Sequence, residues 1–177
     1  CLKVLMLWQF QNLAKSSCLA GALRNHCVLE RLTLKIPNVQ KWGGLDVYAM
    51  GVGSMMTLRV LQLQCEKPQY DPIFSPEAFR TLLSSSKSIQ SLYLENCGLV
   101  DAHIDVLNEE LPQNKVVSLL DLKGNQFSDD ALYATGCLLP KVTTLKTLDL
   151  SGIYITIEAG DALAQGLLQN STLLYLE

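Results

Sequence analysis

The chain has 177 residues, 49% of them hydrophobic, 18% charged and 7% aromatic, with a formal net charge of -3. That balance supplies a buried core and excludes a disordered, collagenous or disulfide-dense small protein. The mild acidity excludes the basic surface that nucleic acid requires, and no apolar run approaches the ~18 residues of a membrane span.

Leucine is the dominant residue, at 35 of 177 positions. Taken along the chain, a pattern of apolar-x-x-Leu-x-Leu places strands at Leu2/Leu5/Leu7, Leu29/Leu32/Leu34, Leu58/Leu61/Leu63 and Ile89/Leu92/Leu94. It continues at Val117/Leu120/Leu122 and Leu145/Leu148/Leu150 and begins again at Leu173/Leu176. The starts are 27, 29, 31, 28, 28 and 28 residues apart. In each, the last two leucines point to one side of a strand.

Helices fill the second halves. Ser75-Pro76-Glu77 opens one, since proline is at ease in a first turn. Asp101 reads as the cap of Ala102 to Leu111, with Ile104, Leu107 and Leu111 on one face and Pro112 beyond it. Ser128 caps the next, with Asp129 and Asp130 in its first turn and Pro140 at its stop. Thr156 caps a helix over Glu158 to Leu168, where Ala159, Ala162, Leu163, Gly166 and Leu167 recur at helical spacing. Gly43, Gly44, Gly51 and Gly53 weaken any helix between them. The insertion from Glu66 to Phe74 in the longest repeat reads as a surface loop.

Strand, loop, helix and return in about 28 residues predict an α/β solenoid. Its arc holds a parallel concave sheet with outer helices, in about six repeats of 27–31 residues plus a final strand. No repeat can bury its apolar face alone, so neighbours must stack. The expected unit is one domain over 1–177. Because the chain starts at Cys1 and stops within a strand pattern at 173–177, it is expected to be a fragment of a longer protein, with flanking repeats or caps missing.

With the repeat in register, the chain resembles the ribonuclease-inhibitor-like class of leucine-rich repeats, the class also found in NOD-like receptors and Ran GTPase-activating proteins. The resemblance rests on an Asn or Cys three residues after the second strand leucine: Cys97 in Leu94-Glu95-Asn96-Cys97-Gly98-Leu99 and Asn125 in Leu122-Lys123-Gly124-Asn125-Gln126-Phe127. A buried side chain there satisfies backbone groups in the bend. Leu19 to Asn25 and Ala162 to Leu173 are similar to the class helix and its return. Phe10, Pro37, Glu66 and Ile153 hold the same bend position elsewhere, so those bends are made differently.

Chemistry-bearing motifs are sparse. Cys1, Cys18, Cys27, Cys65, Cys97 and Cys137 are scattered, without a CxxC or zinc spacing, as reduced thiols of a cytoplasmic protein are. His26 beside Cys27 is read as structural, not as a dyad. Gly51-Val52-Gly53 lacks the strand-turn-helix setting of a phosphate loop. Glu109-Glu110 and Asp129-Asp130 are solvated helical acids, and Asn170-Ser171-Thr172 is a polar turn of the repeat that also matches a glycosylation acceptor. The reading is no enzyme, no cofactor and no metal.

What remains is surface. The third, fifth and seventh places of each pattern project from the concave face. The rows are Val4, Arg31, Val60, Ser91, Leu119, Thr147, Tyr175; then Met6, Thr33, Gln62, Tyr93, Asp121, Asp149, Glu177; then Trp8, Lys35, Gln64, Glu95, Lys123, Ser151. Val4, Met6 and Trp8 form an apolar N-terminal end, with Trp8 expected to pack on a preceding segment. Tyr93, Glu95, Asp121, Asp149, Tyr175 and Glu177 form an acidic, tyrosine-bearing C-terminal half. These residues, with Trp8, are the expected contacts for a protein partner of basic character. The expected function is a non-enzymatic interaction module or scaffold within a larger assembly. The alternatives implied by the resemblance are a Ran-type GTPase activator, which positions the nucleotidase's own groups, and the ligand-sensing repeats of a NOD-like receptor.

Overall fold

A computed structural model describes residues 2–8, 21–23, 28–37, 45–66 and 71–177. Within them lies one all-parallel sheet of strands β1 (Val4–Trp8), β2 (Arg31–Ile36), β3 (Val60–Cys65), β4 (Ser91–Glu95), β5 (Leu119–Asp121), β6 (Thr147–Asp149) and β7 (Tyr175–Leu176), in chain order. The ladder register joins Val4, Arg31, Val60, Ser91, Leu119, Thr147 and Tyr175 in one line. The third-place row is therefore one line of the sheet, the fifth-place row is paired from Met6 to Asp149, and the seventh from Trp8 to Glu95. Register is forced because a one-residue slip would turn every strand leucine out of the core. Leu32, Leu34, Leu61, Leu63, Leu92, Leu94, Leu120 and Leu148 are all buried.

Helices connect the strands: α1 (Asp46–Gly53), α2 (Pro76–Ser85), α3 (Asp101–Glu110), α4 (Asp129–Leu138) and α5 (Ile157–Gln169). Each packs on the next and all cover the same face of the sheet. Ser75, Ser128 and Thr156 cap α2, α4 and α5 by accepting the N–H of Ala78, Ala131 and Ala159, as their sequence positions predict. A 3-10 turn over Leu139–Lys141, containing Pro140, ends α4.

Three expectations are corrected. Asp101 is not the cap of α3. Val100 holds that position, and its N–H donates to Nδ1 of His103 in the helix's own first turn. Asp101 instead accepts the N–H of Ser128, the cap of α4, at 2.8 Å. Asp46 accepts the Ser75 N–H and Asp129 the Thr156 N–H in the same way, so an acid that opens one helix tethers the cap of the next. Second, α1 forms across Gly51 and up to Gly53. Burial of Leu45, Ala49 and Val52 outweighs the ~1 kcal/mol propensity cost of each glycine. A Cβ on Gly53 would stand in ordinary contact, 3.4 Å from the backbone of Leu82 and Thr81, so packing does not require glycine there. Third, the end of the insertion is core. Ile73 and Phe74 are 1% and 0% exposed, and the Ile73 N–H donates to the Cys97 carbonyl. Phe74 packs with Phe79 and His103 at ring-centroid distances of 5.5 and 6.0 Å.

The bends confirm the expected roles of Cys97 and Asn125. Asn125, 4% exposed, accepts the Leu99 N–H and donates to the carbonyls of Leu94 and Leu122 at 2.8 and 2.7 Å. The Cys97 thiol lies 3.3 Å from the Leu63 carbonyl. Ahead of these positions, Asn96, Gly124 and Gly152 all take positive φ. On the opposite side, α4 and α5 touch through backbone: a Cβ on Gly166 would lie 2.1 Å from the Gly136 carbonyl oxygen.

Candidate functional site

The helices leave the other face of the sheet open, and the expected contact residues lie on it. Tyr93, Asp121 and Asp149 are directly aligned on β4, β5 and β6. Adjacent parallel strands lie about 4.8 Å apart, so the two carboxylates are close neighbours. Each is oriented by its own bend: Asp121 Oδ1 accepts the Lys123 N–H at 3.0 Å and Asp149 Oδ1 the Ser151 N–H at 2.8 Å. The short bond across two residues is the Asx turn that ends a strand. Among the described residues no hydrogen bond is made by the second oxygen of either acid. Burial pushes the Asp121 carboxyl above the ordinary aspartate range. The Lys123 N–H opposes this, and the charges of Asp149 and Glu95 reinforce it.

Glu95 lies one row over. It accepts a hydrogen bond from Gln64 Nε2 and stands 3.9 Å from Lys123 Nζ, so its charge is partly neutralised. Lys123 was legible in the seventh row, yet its pairing with Glu95 follows only from the register. Tyr175 pairs with Thr147 and is 63% exposed. Glu177 bonds through its backbone to Leu148 and Leu150. The acidic, tyrosine-bearing half is thus assembled as expected.

Trp8 is not part of that group. It lies on β1, three strand spacings or roughly 14 Å from β4. Its ring lies on the open face, 66% exposed, with Lys35 Nζ 4.5 Å from its centroid. That cation-π contact was missed because Trp8 and Lys35 are 27 residues apart in sequence and meet only through the β1–β2 pairing.

The remaining polar candidates serve the scaffold. His103 is fully buried; its Nδ1 accepts from Val100, so its Nε2–H donates to the Phe74 carbonyl at 3.1 Å. Burial lowers its pKa, against the opposing pull of these bonds and of the acids Glu77 and Asp46. Asn170 donates to the carbonyls of Leu139 and Val142 and accepts the N–H of Thr172 and Leu173, so its amide is committed to the polar turn. Cys65 and Cys97 are buried and Cys137 exposed, all as free thiols. Burial, with Cys65 beside it, pushes the Cys97 thiol well above its ordinary value and keeps it protonated. His26, Cys27, Cys1, Cys18, Phe10, Gly43 and Gly44 lie outside the described residues.

Among the described residues no helix is long and apolar enough to cross a membrane. No group of His, Cys, Asp and Glu among them has the arrangement of a metal site. Compared with known proteins, the chain matches no family model and no curated sequence.

Proposed function

We propose that this chain is a non-enzymatic protein-interaction module, a leucine-rich-repeat solenoid of the ribonuclease-inhibitor-like class that takes a protein partner of basic character on its concave face. The observation that carries the reading is the aligned row Tyr93–Asp121–Asp149 on the sheet face that the helices leave uncovered. Two oriented carboxylates beside an aromatic ring attract a cationic side chain by charge and by ring contact together. The recurring Asn/Cys bends and the aspartate tethers support the repeat reading, since each performs the same bond one repeat further on. The three cysteines among the described residues are free thiols, which suits a reducing compartment such as the cytoplasm.

The test is selection of binders from a displayed random-peptide library, followed by titration against Asp121→Asn with Asp149→Asn. Asparagine keeps the oxygen that accepts the Lys123 or Ser151 N–H and removes only the charge. Enriched peptides should carry Lys or Arg and bind the double variant at least about fivefold more weakly. Selection of neutral or acidic peptides that bind both proteins equally would refute the proposal.

A further inference from the structure

The open face does not carry one sign of charge. Along the three rows, β1 to β3 present Arg31 and Lys35 and no acid; from β4 onward the face presents Glu95, Asp121, Asp149 and Glu177 against Lys123 alone. Between the two anchors the third- and fifth-place rows are uncharged, with Val60, Gln62, Ser91, Tyr93 and Leu119 all half-buried, and in the seventh-place row Glu95 is engaged by Gln64 and stands 3.9 Å from Lys123 Nζ. Arg31 and Lys35 flank Thr33 on β2, and Lys35 is held over the Trp8 ring, which fixes where that positive charge stands.

We infer that the partner segment is charge-segregated, with its basic end over Asp121 and Asp149, its acidic end over Arg31 and Lys35, and a neutral, partly apolar stretch between them. This rests on the concave-face reading above and adds to it a second anchor and a direction. A uniformly basic segment would meet like charge at β2, and a uniformly acidic one at β5 and β6. The two anchors are three to four strand spacings apart, roughly 14–19 Å. That length matches about three turns of a helix or about six extended residues, so one continuous segment crosses both. Aligned opposite ends also set polarity, because reversing the segment places both its charges against like charges.

Three synthetic peptides of about 16 residues test it against the 177-residue chain: one with arginines and glutamates at opposite ends, one of identical composition with the charges alternating, and one with arginines only. The segregated peptide should bind at least about tenfold more tightly than the alternating one. That preference should vanish in Arg31→Gln with Lys35→Gln and also in Asp121→Asn with Asp149→Asn, each checked for an unchanged thermal melt. In the unaltered chain, a photo-crosslinker at the basic end should label β5 to β7, and one at the acidic end β1 to β3. Equal binding of segregated and alternating peptides, or crosslinks at the same strands from both ends, overturns the inference. If the arginine-only peptide binds best and loses affinity only in the aspartate variant, the second anchor is refuted while the basic-partner reading stands. If no peptide binds, both are refuted.

Discussion

Two glycines on one helix predict opposite outcomes for the same substitution. In α5 a Cβ on Gly160 would meet nothing closer than the Ile155 side chain at 3.8 Å, whereas a Cβ on Gly166 would meet the Gly136 carbonyl oxygen at 2.1 Å and its carbon at 3.0 Å. Replacing glycine with alanine inside a helix gains about 1 kcal/mol through propensity and a less flexible unfolded chain. Gly160→Ala should realise most of that gain. Gly166→Ala must in addition move α5 away from α4 by about 1 Å, because the obstacle is backbone and no side chain can rotate away. Overpacking of this kind costs about 1–3 kcal/mol, and lifting α5 also loosens its own buried side chains Ala159 and Leu163. The net expectation for Gly166→Ala is a loss of about 1–2 kcal/mol, so the two variants should differ by about 2–3 kcal/mol. Urea titrations followed by circular dichroism measure the difference, provided the slopes match. If Gly166→Ala proves as stable as Gly160→Ala, the close helix contact does not exist as described.

Asn125→Ala leaves the Leu99 N–H and the Leu94 carbonyl without their partners in a buried bend. At about 1–3 kcal/mol per orphaned group, it should cost about 3 kcal/mol in the same titration. Asn125→Asp should do no better, because a carboxylate cannot donate to the two carbonyls; a stable aspartate variant would contradict this account. Asp129→Ala removes the acceptor for the Thr156 N–H at 3.2 Å and should cost about 1 kcal/mol, while Asp129→Asn should retain most of the stability. The pH dependence follows from His103, whose folded pKa lies below its unfolded value. Well above pH 6.5, the ordinary histidine value, the ring is neutral in both states and contributes no slope. Below that, the unfolded chain takes up a proton that the native ring refuses, so stability falls with falling pH until the folded value is reached. The raised carboxyl of Asp121 acts oppositely, but in the lower carboxylate range. Between pH 7 and 5.5, His103→Gln should therefore lose less stability than the parent chain, and equal slopes would exclude His103 as the cause.

The ladder of strands was legible because it follows from one repeated requirement: leucines at fixed places are buried only if every strand keeps register. The three surface rows came with it, and so did Tyr93, Asp121 and Asp149 as neighbours. What stayed hidden depends on partners far away in sequence. Whether Asp101 caps its own helix or tethers the next turns on a shift of one residue and on a bond to Ser128, 27 positions on. Phe74 sits in a stretch rich in proline and polar residues, and contacts from distant elements, the rings of Phe79 and His103 among them, make it core. The glycine-bearing helix α1 is decided by burial against α2, a tertiary effect that propensity cannot anticipate.

The aspartate tethers run forward along the chain, from Asp46 to Ser75, from Asp101 to Ser128 and from Asp129 to Thr156. One link in the series is different. Helix α2 begins with Pro76, which carries no carboxylate, and the Val100 N–H is satisfied by His103 from within α3. The same ring reaches backward to the Phe74 carbonyl, so this junction is held by an imidazole that must stay neutral. The junction between α2 and α3 is therefore the place where this stack of elements can divide into two cooperative units. In His103→Leu, amides on its two sides should exchange hydrogen at separate rates, where in the parent chain they exchange together.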